Sequence, residues 1–203
     1  MRDSDRVIGL YQRHSLAWDT DRHNSRFVEK GWLDQFISLL PGYGRVLDIG
    51  CGGSEPIAAY LARHGLAVTG IDTSPTMISL CHQRQPEQEW IVQDMRTLAL
   101  CRLFDGIVAW DSFFHLRHEE QRRMFPIFQA HALPGAPLMF STGHSHGEAI
   151  GSYQGEPLYH ASLDATEYRS LLGESGFSVL AHVKEDAACG GRTVWLAQRR
   201  RDG

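Results

Sequence analysis

Short, nearly unbroken apolar runs recur along this chain. They are Val46-Leu47-Asp48-Ile49, Leu66-Ala67-Val68-Thr69-Gly70-Ile71-Asp72, Trp90-Ile91-Val92-Gln93-Asp94-Met95, Phe104-Asp105-Gly106-Ile107-Val108-Ala109-Trp110 and Leu138-Met139-Phe140-Ser141-Thr142. Runs of this length bounded by turn formers predict buried strands. Between them, apolar residues fall at helical spacing. Ile57, Ala58, Leu61 and Ala62 precede Gly65, which is placed to close a helix in the left-handed conformation. Met77, Ile78 and Cys81 follow Ser74-Pro75, a capping pair, and a further helix spans about 117–131, with Pro126 expected to kink it.

After the fifth run, residues 143–162 are rich in Gly, His and Tyr and lack repetition. They read as a long loop, and its aromatic content argues for a functional role rather than disorder. Asp164-Ala165-Thr166-Glu167 resembles a capping box opening a helix with Tyr168, Leu171 and Leu172 inward. Phe177–Val183 and Thr193–Ala197, connected near Gly190-Gly191, predict an antiparallel closing hairpin. At the other end, Val7, Ile8 and Tyr11 share one helical face and Trp32, Phe36, Leu39 and Leu40 another, with the polar stretch Trp18–Asn24 between them. This predicts two helices that cap the domain and border its pocket, with Tyr11 or Trp18 facing the ligand.

Alternation of this kind predicts an α/β, Rossmann-like three-layer sandwich. Its sheet is seven-stranded and mainly parallel, with an antiparallel C-terminal hairpin and an N-terminal helical cap. The expected organisation is a single domain over 1–203: cap 1–43, ligand-binding core 44–142, substrate loop 143–162, closing helix and strands 163–203. At 203 residues, 42% hydrophobic and 22% charged, the chain has the size and composition of one globular domain. A net charge of −4 gives no basic surface for nucleic acid. The basic end Arg199-Arg200-Arg201 reads as a solvated, frayed terminus. No apolar run approaches the roughly 20 residues of a membrane span, and Met1–Arg6 lacks an apolar signal core, so a cytoplasmic location is expected. The four cysteines show no CxxC pair, and the 11 histidines form no HExxH motif. No metal is expected, since His144 and His146 lack a nearby third ligand.

Chemistry gathers where the first run ends. Asp48-Ile49-Gly50-Cys51-Gly52-Gly53-Ser54-Glu55-Pro56 is strand, glycine turn and helix start, with Ser54 as cap and Pro56 in the first turn. Glycines let the backbone approach a ligand closely, and Cys51 is a small filler there. Asp72 lies about 20 residues further on, at a strand end, where such folds place a carboxylate on ribose hydroxyls. An acid ahead of the first glycine disfavours a pyrophosphate, hence a nicotinamide cofactor, and suits a cationic ligand.

These motifs resemble class I S-adenosylmethionine-dependent methyltransferases. The likeness covers about residues 44–142 by motif and the rest by element order. Val46–Gly52 is similar to the family's first motif and Gly70–Met77 to its second. Asp94-Met95 matches the adenine position, side chain to the exocyclic amine and backbone to a ring nitrogen. Ala109-Trp110-Asp111-Ser112 matches the segment bordering cofactor and substrate, and Leu133-Pro134-Gly135-Ala136 the turn before strand five. Ser54 and Ala136 stand where the family often has glycine. The resemblance implies S-adenosyl-L-methionine as cofactor, contacted by Asp48, Gly50, Cys51, Gly52, Asp72, Thr73, Met77, Asp94, Met95, Trp110 and Asp111, with Tyr11 from the cap. For Asp48, holding turn amides is the close second reading.

It also implies methyl transfer to an O, N or C atom of a small molecule, by a monomer or homodimer. A non-catalytic S-adenosylmethionine-binding regulator or partner protein is the alternative. An acceptor that carries a proton needs a general base. His115, after the fourth strand and near Asp111, is the first candidate. His144, His146 and His160 follow. Trp18, Phe114, Tyr153, Glu156 and Tyr159 are candidate acceptor contacts.

Overall fold

The computed structural model describes residues 3–201. Three helices come first: α1 (Asp3–Arg13), α2 (Ser15–Asn24) and α3 (Lys30–Ser38). Strands and helices then alternate through β1 (Arg45–Ile49), α4 (Ile57–Arg63), β2 (Ala67–Asp72), α5 (Pro75–Arg84), β3 (Glu89–Val92), β4 (Gly106–Ala109), α6 (His118–His131) and β5 (Pro137–Thr142). A hairpin of β6 (Gly147–Tyr153) and β7 (Glu156–Ser162) precedes α7 (Ala165–Glu174), β8 (Phe177–Asp186) and β9 (Arg192–Arg199). The main sheet has seven strands in the order β3-β2-β1-β4-β5-β9-β8. β1 to β5 are parallel, while β9 runs antiparallel to both β5 and β8. This is the architecture expected from the alternation.

Side chains alternate across a strand, and here each set fills its own core. Leu47, Ile49, Ile107, Ala109, Leu138 and Phe140 enter one cluster with Phe125 and Phe128 of α6 and Tyr168 of α7. Val46, Val68, Val108 and Met139 enter the other, with Trp32 and Phe36 of α3, Leu61 of α4 and Ile78 of α5. β4 and β5 are buried at every position, which is why they read as continuous apolar runs. Parallel register sets Asp48 beside Gly70 and Asp72 beside Val92, so the carboxyl ends of the first strands share one edge.

Four expectations are corrected. The cap has three helices rather than two, because the polar stretch is itself helical, as α2. Residues 143–162 are not a loop: β6 and β7 pair from Gly147↔Ser162 to Tyr153↔Glu156. β6 is almost wholly exposed, so it carries no apolar alternation. Ser54 does not cap α4; it adopts φ +74, its buried hydroxyl has no partner, and the helix begins only at Ile57. The terminal arginines are tied down, Arg199 Nη1 donating to Ser175 O at 3.1 Å and Arg200 Nη2 to Gly173 O at 2.8 Å. Ser74 does cap α5, accepting from Met77 N at 3.2 Å, and Asp164 caps α7, accepting from Thr166 N at 2.7 Å. α6 runs through Pro126 without a break. Met1 and Arg2, part of the stretch read as lacking a signal core, lie outside the described residues.

Candidate functional site

The glycine turn folds over the shared strand edge. Gly50 and Cys51 both donate to Ile71 O, at 2.8 and 3.0 Å, which pins the turn to the end of β2. Asp72 then holds it from below: Oδ2 accepts from Gly52 N at 3.1 Å and Oδ1 from Ser74 N at 2.8 Å. Ser112, after β4, supports the other side by donating to Ile49 O at 2.7 Å. Above this floor, between the strand ends and α1–α2, lies a cleft enclosing about 1130 Å³, mouth included.

The structure brings Asp48, Gly50, Cys51, Gly52, Asp72, Thr73, Met77, Asp94, Met95, Trp110, Asp111 and Tyr11 to this one cleft, together with Trp18 and His115. A second cleft lies under the hairpin and shares Tyr11, Trp18, Asp111 and His115 with the first. Phe114, His160, Leu158 and Arg192 are among its walls. The four shared residues therefore mark a junction between two ligand spaces.

At that junction His115 Nδ1 sits 2.9 Å from the carbonyl of Tyr159. A carbonyl only accepts, so Nδ1 carries the hydrogen, and Nε2 accepts from Tyr11 Oη at 2.9 Å. Burial lowers the His115 pKa to about 4, so the imidazole is neutral at ordinary pH. Burial, reinforced by Asp111 and Asp72, raises that of the Tyr11 phenol, which stays protonated. The His160 ring lies 4.9 Å from that of His115, and its pKa too is lowered by burial. Asp111, in a left-handed turn at φ +46, is forked by Arg192: Nε donates to Oδ1 at 3.0 Å and Nη2 to Oδ2 at 2.7 Å. Deeper in the cleft, burial and then the charge of Asp72 raise the Asp48 carboxyl to about 7.

Several expected residues lie elsewhere. His144 and His146 line neither cleft; His146 stacks on His118 and His144 is exposed, 3.9 Å from Glu185. Tyr153 and Glu156 strap the hairpin to the helical cap instead of walling a pocket, and Tyr159 bridges the two strands of the hairpin. Tyr153 donates to Asp21 at 2.8 Å, Glu156 pairs with Arg13 and His14, and Tyr159 donates to Glu148 at 2.8 Å. Asp94 lines the cleft, but both its oxygens accept from Arg96, with Nη2 at 2.7 Å and the backbone N at 2.9 Å. Asp19, Arg22, Ser112 and Arg192 also face the clefts. Asp19 and Arg22 were recoverable, since α2 carries them beside Trp18. Arg192 was not, because it arrives on an antiparallel strand 81 residues from its partner Asp111. Among the described residues no group of three or more His, Cys, Asp or Glu is arranged to hold a metal, and no helix is long and apolar enough to cross a membrane.

Residues 46–135 match the family model described as a methyltransferase domain. The chain is 36% identical over 116 residues to a putative methyltransferase, YqeM, of Bacillus subtilis (strain 168), covering 53% of this chain and 44% of that one. It is 33% identical over 120 residues to a ubiquinone biosynthesis O-methyltransferase of Coxiella burnetii (strain Dugway 5J108-111), covering 57% and 49%. The chain thus spans about half the length of these curated relatives. Among solved structures, S-adenosylmethionine-bound magnesium protoporphyrin IX methyltransferase from Synechocystis PCC 6803 superposes with a TM-score of 0.73 at 20% identity, covering 98% of both chains. An amino pentose methyltransferase, CalS10, from Micromonospora echinaspora gives 0.72 at 18% identity, covering 91% and 96%. At such identities these two structures speak to the fold.

Proposed function

We propose that this chain is a class I S-adenosylmethionine-dependent methyltransferase that transfers a methyl group to a proton-bearing oxygen or nitrogen of a small molecule held in the second cleft, a reading supported by the methyltransferase-domain match over residues 46–135 and by the fold. The observation that carries this reading is the junction: Tyr11, Trp18, Asp111 and His115 border both ligand spaces at once. The similar proteins include a ubiquinone biosynthesis O-methyltransferase, a magnesium protoporphyrin IX methyltransferase, an amino pentose methyltransferase and a glycopeptide N-methyltransferase, which accords with an organic acceptor rather than a nucleic acid.

The residues of the main cleft fit S-adenosylmethionine. Gly52, at φ +54, leaves open the space a Cβ would fill, with no heavy atom nearer than Trp18 Nε1 at 3.9 Å. Trp110 Nε1 is a buried donor without a partner. Each Asp72 oxygen takes a turn amide and retains a second lone pair for a ribose hydroxyl. With Asp94 committed to Arg96, the adenine edge falls to the Met95 backbone, and the Asp94 carboxylate serves the amine only as a shared acceptor. When bound, the cofactor supplies an electrophilic methyl group on a sulfonium sulfur.

The protein's part is to orient, to exclude water and to receive a proton. Tyr11 and Trp18, edge to face at 5.1 Å, roof the junction. The Tyr159 carbonyl fixes the His115 tautomer so that Nε2 is a basic nitrogen facing Tyr11, and it takes the acceptor's proton directly or through the Tyr11 hydroxyl. Asp111 is engaged through both its oxygens by Arg192. Phe114, Trp18 and His160 offer aromatic walls for the acceptor.

The test is labelled-methyl transfer into fractionated small-molecule extracts, with His115→Ala beside the wild type. His115→Ala is expected to lower turnover by roughly 10²–10⁴-fold while leaving S-adenosylhomocysteine affinity nearly unchanged; a fall in affinity alone would remove His115 as the base. Since burial holds His115 to about 4, protonation disables it only below that pH. Turnover should therefore show no acid limb near 6.5. Asp72→Ala should weaken S-adenosylhomocysteine binding by about 1–3 kcal/mol, from lost hydrogen bonds to ribose; unchanged affinity by calorimetry would withdraw that assignment.

A further inference from the structure

The second cleft is built around rings. His160, on β7, stands in the middle of them: its plane lies 38° from that of Phe114, at 5.3 Å, and 39° from that of His115, at 4.9 Å. Gly151 on β6 makes room for it, since an added Cβ would stand 3.3 Å from His160 Cε1. Tyr11 crosses His115 at 65° and Trp18 crosses Tyr11 at 77°, closing the end nearest the main cleft. Phe114, His160, His115, Tyr11 and Trp18 thus form one series along the cleft wall.

The charges of the same cleft cancel. Arg192 forks onto Asp111, and among the described residues no other Arg, Lys, Asp or Glu lines the space. Arg192 Nη2 also lies 4.0 Å from the buried Glu29, which pairs in turn with Arg22, so the guanidinium faces carboxylates on two sides. Burial lowers the pKa of both His115 and His160 and favours their neutral forms. An ionic ligand would leave water here without an unpaired counter-charge to meet it. The hydroxyls are also engaged. Thr142 Oγ1 donates to Gly143 O at 2.9 Å and accepts from Trp195 Nε1 at 3.1 Å, while Tyr11 gives its hydrogen to His115 Nε2. Tyr11 therefore offers a ligand only lone pairs, and its partner must bring the hydrogen.

A series of rings, no net charge and a lone-pair acceptor beside the base together describe the complement: an uncharged, planar aromatic molecule bearing a hydroxyl. Rings at these separations attract a further ring stacked or edge-on. A phenolic hydroxyl ionises near pH ~10, far more readily than that of a saturated alcohol. Resting on the methyl-transfer reading above, we propose that the second cleft takes a neutral hydroxyarene, with His160 and Phe114 as its specificity-determining platform. In transfer the hydroxyl oxygen bonds to the methyl carbon as the carbon–sulfur bond breaks and leaves its electron pair on sulfur. The proton passes to His115 Nε2, directly or through Tyr11.

Four probes of one skeleton test this on the protein saturated with S-adenosylhomocysteine: 1-naphthol, its saturated analogue decahydro-1-naphthol, the anion 1-naphthoate and the cation of 1-naphthylmethylamine. By calorimetry 1-naphthol should bind at least tenfold more tightly than each of the other three. His160→Ala and Phe114→Ala should each weaken it by about threefold to tenfold, and His160→Phe should restore most of the His160→Ala loss, which a proton-transfer role for His160 would not allow. With S-adenosylmethionine in place of the thioether, labelled methyl should enter 1-naphthol, and His160→Ala should raise KM while changing kcat by less than threefold. No binding of 1-naphthol, equal or tighter binding of any other probe, or a His160→Ala loss that His160→Phe leaves unrestored overturns the acceptor class alone. If the wild type does not bind S-adenosylhomocysteine, the methyl-transfer reading falls and the acceptor class with it.

Discussion

Gly50→Ala is expected to destroy cofactor binding and to destabilise the fold by roughly 2–5 kcal/mol, the sum of a left-handed backbone penalty and an overpacking penalty. Gly50 has φ +79, and an added Cβ would stand 2.3 Å from Ser112 Cβ. Ser112 cannot swing away freely, because its hydroxyl is bonded to Ile49 O. The glycine turn and the segment after β4 must therefore part, and they form the floor of the cleft together. Gly52→Ala is the control. At φ +54 it pays only the backbone cost of about 1–2 kcal/mol, and its Cβ meets nothing nearer than 3.9 Å. It should unfold a few degrees lower yet bind S-adenosylhomocysteine at least tenfold more weakly, because the methyl enters ligand space. Thermal unfolding and calorimetry on both variants separate the two effects. Equal losses of stability would mean that Gly50 does not join the two turns.

How far the site was legible follows from how each residue gets there. Asp48, Gly50, Gly52 and Asp72 sit on or beside their own strands, and the strand-turn-helix pattern carries them to one edge whatever the rest of the chain does. His115 was reachable for the same reason, being within one short turn of β4. His144 and His146 share its chemistry but follow β5 onto a surface facing His118 and Glu185, and residue type alone does not reveal that. The hairpin was missed because β6 exposes nearly every side chain. A signal did exist in Gln154-Gly155, both at positive φ, which make the two-residue turn favoured by twisted strands. Arg192, Glu29 and Arg22 assemble through pairings of residues far apart in sequence, and no local pattern encodes those.

Asp48→Asn is expected to make the protein more stable at pH 8 and less able to bind S-adenosylmethionine. Asp48 is 2% exposed, on the strand face packed by α3 and α4, and burial followed by the charge of Asp72 raises its carboxyl to about 7. In the unfolded chain it titrates near ~3.9. Between those values the folded state holds a proton that the unfolded state releases, so this group's contribution is full below about pH 4 and is lost as pH rises through 7. With about 1.4 kcal/mol for each pH unit, the ionised group costs on the order of 4 kcal/mol at pH 8. Asparagine keeps the shape without the charge, so the variant should gain roughly 2–4 kcal/mol at pH 8 and little at pH 5. A sulfonium ligand reverses the balance, since it favours the ionised carboxylate. Wild-type affinity for S-adenosylmethionine should rise through pH 7, while that for the uncharged sulfur of S-adenosylhomocysteine stays level. The difference between the two ligands should shrink in the variant. Unfolding at pH 5 and 8, with calorimetry of both ligands, tests the whole argument. A variant less stable at pH 8 would show that Asp48 serves chiefly to hold turn amides, and a stabilised one that the buried charge is kept for its cationic ligand.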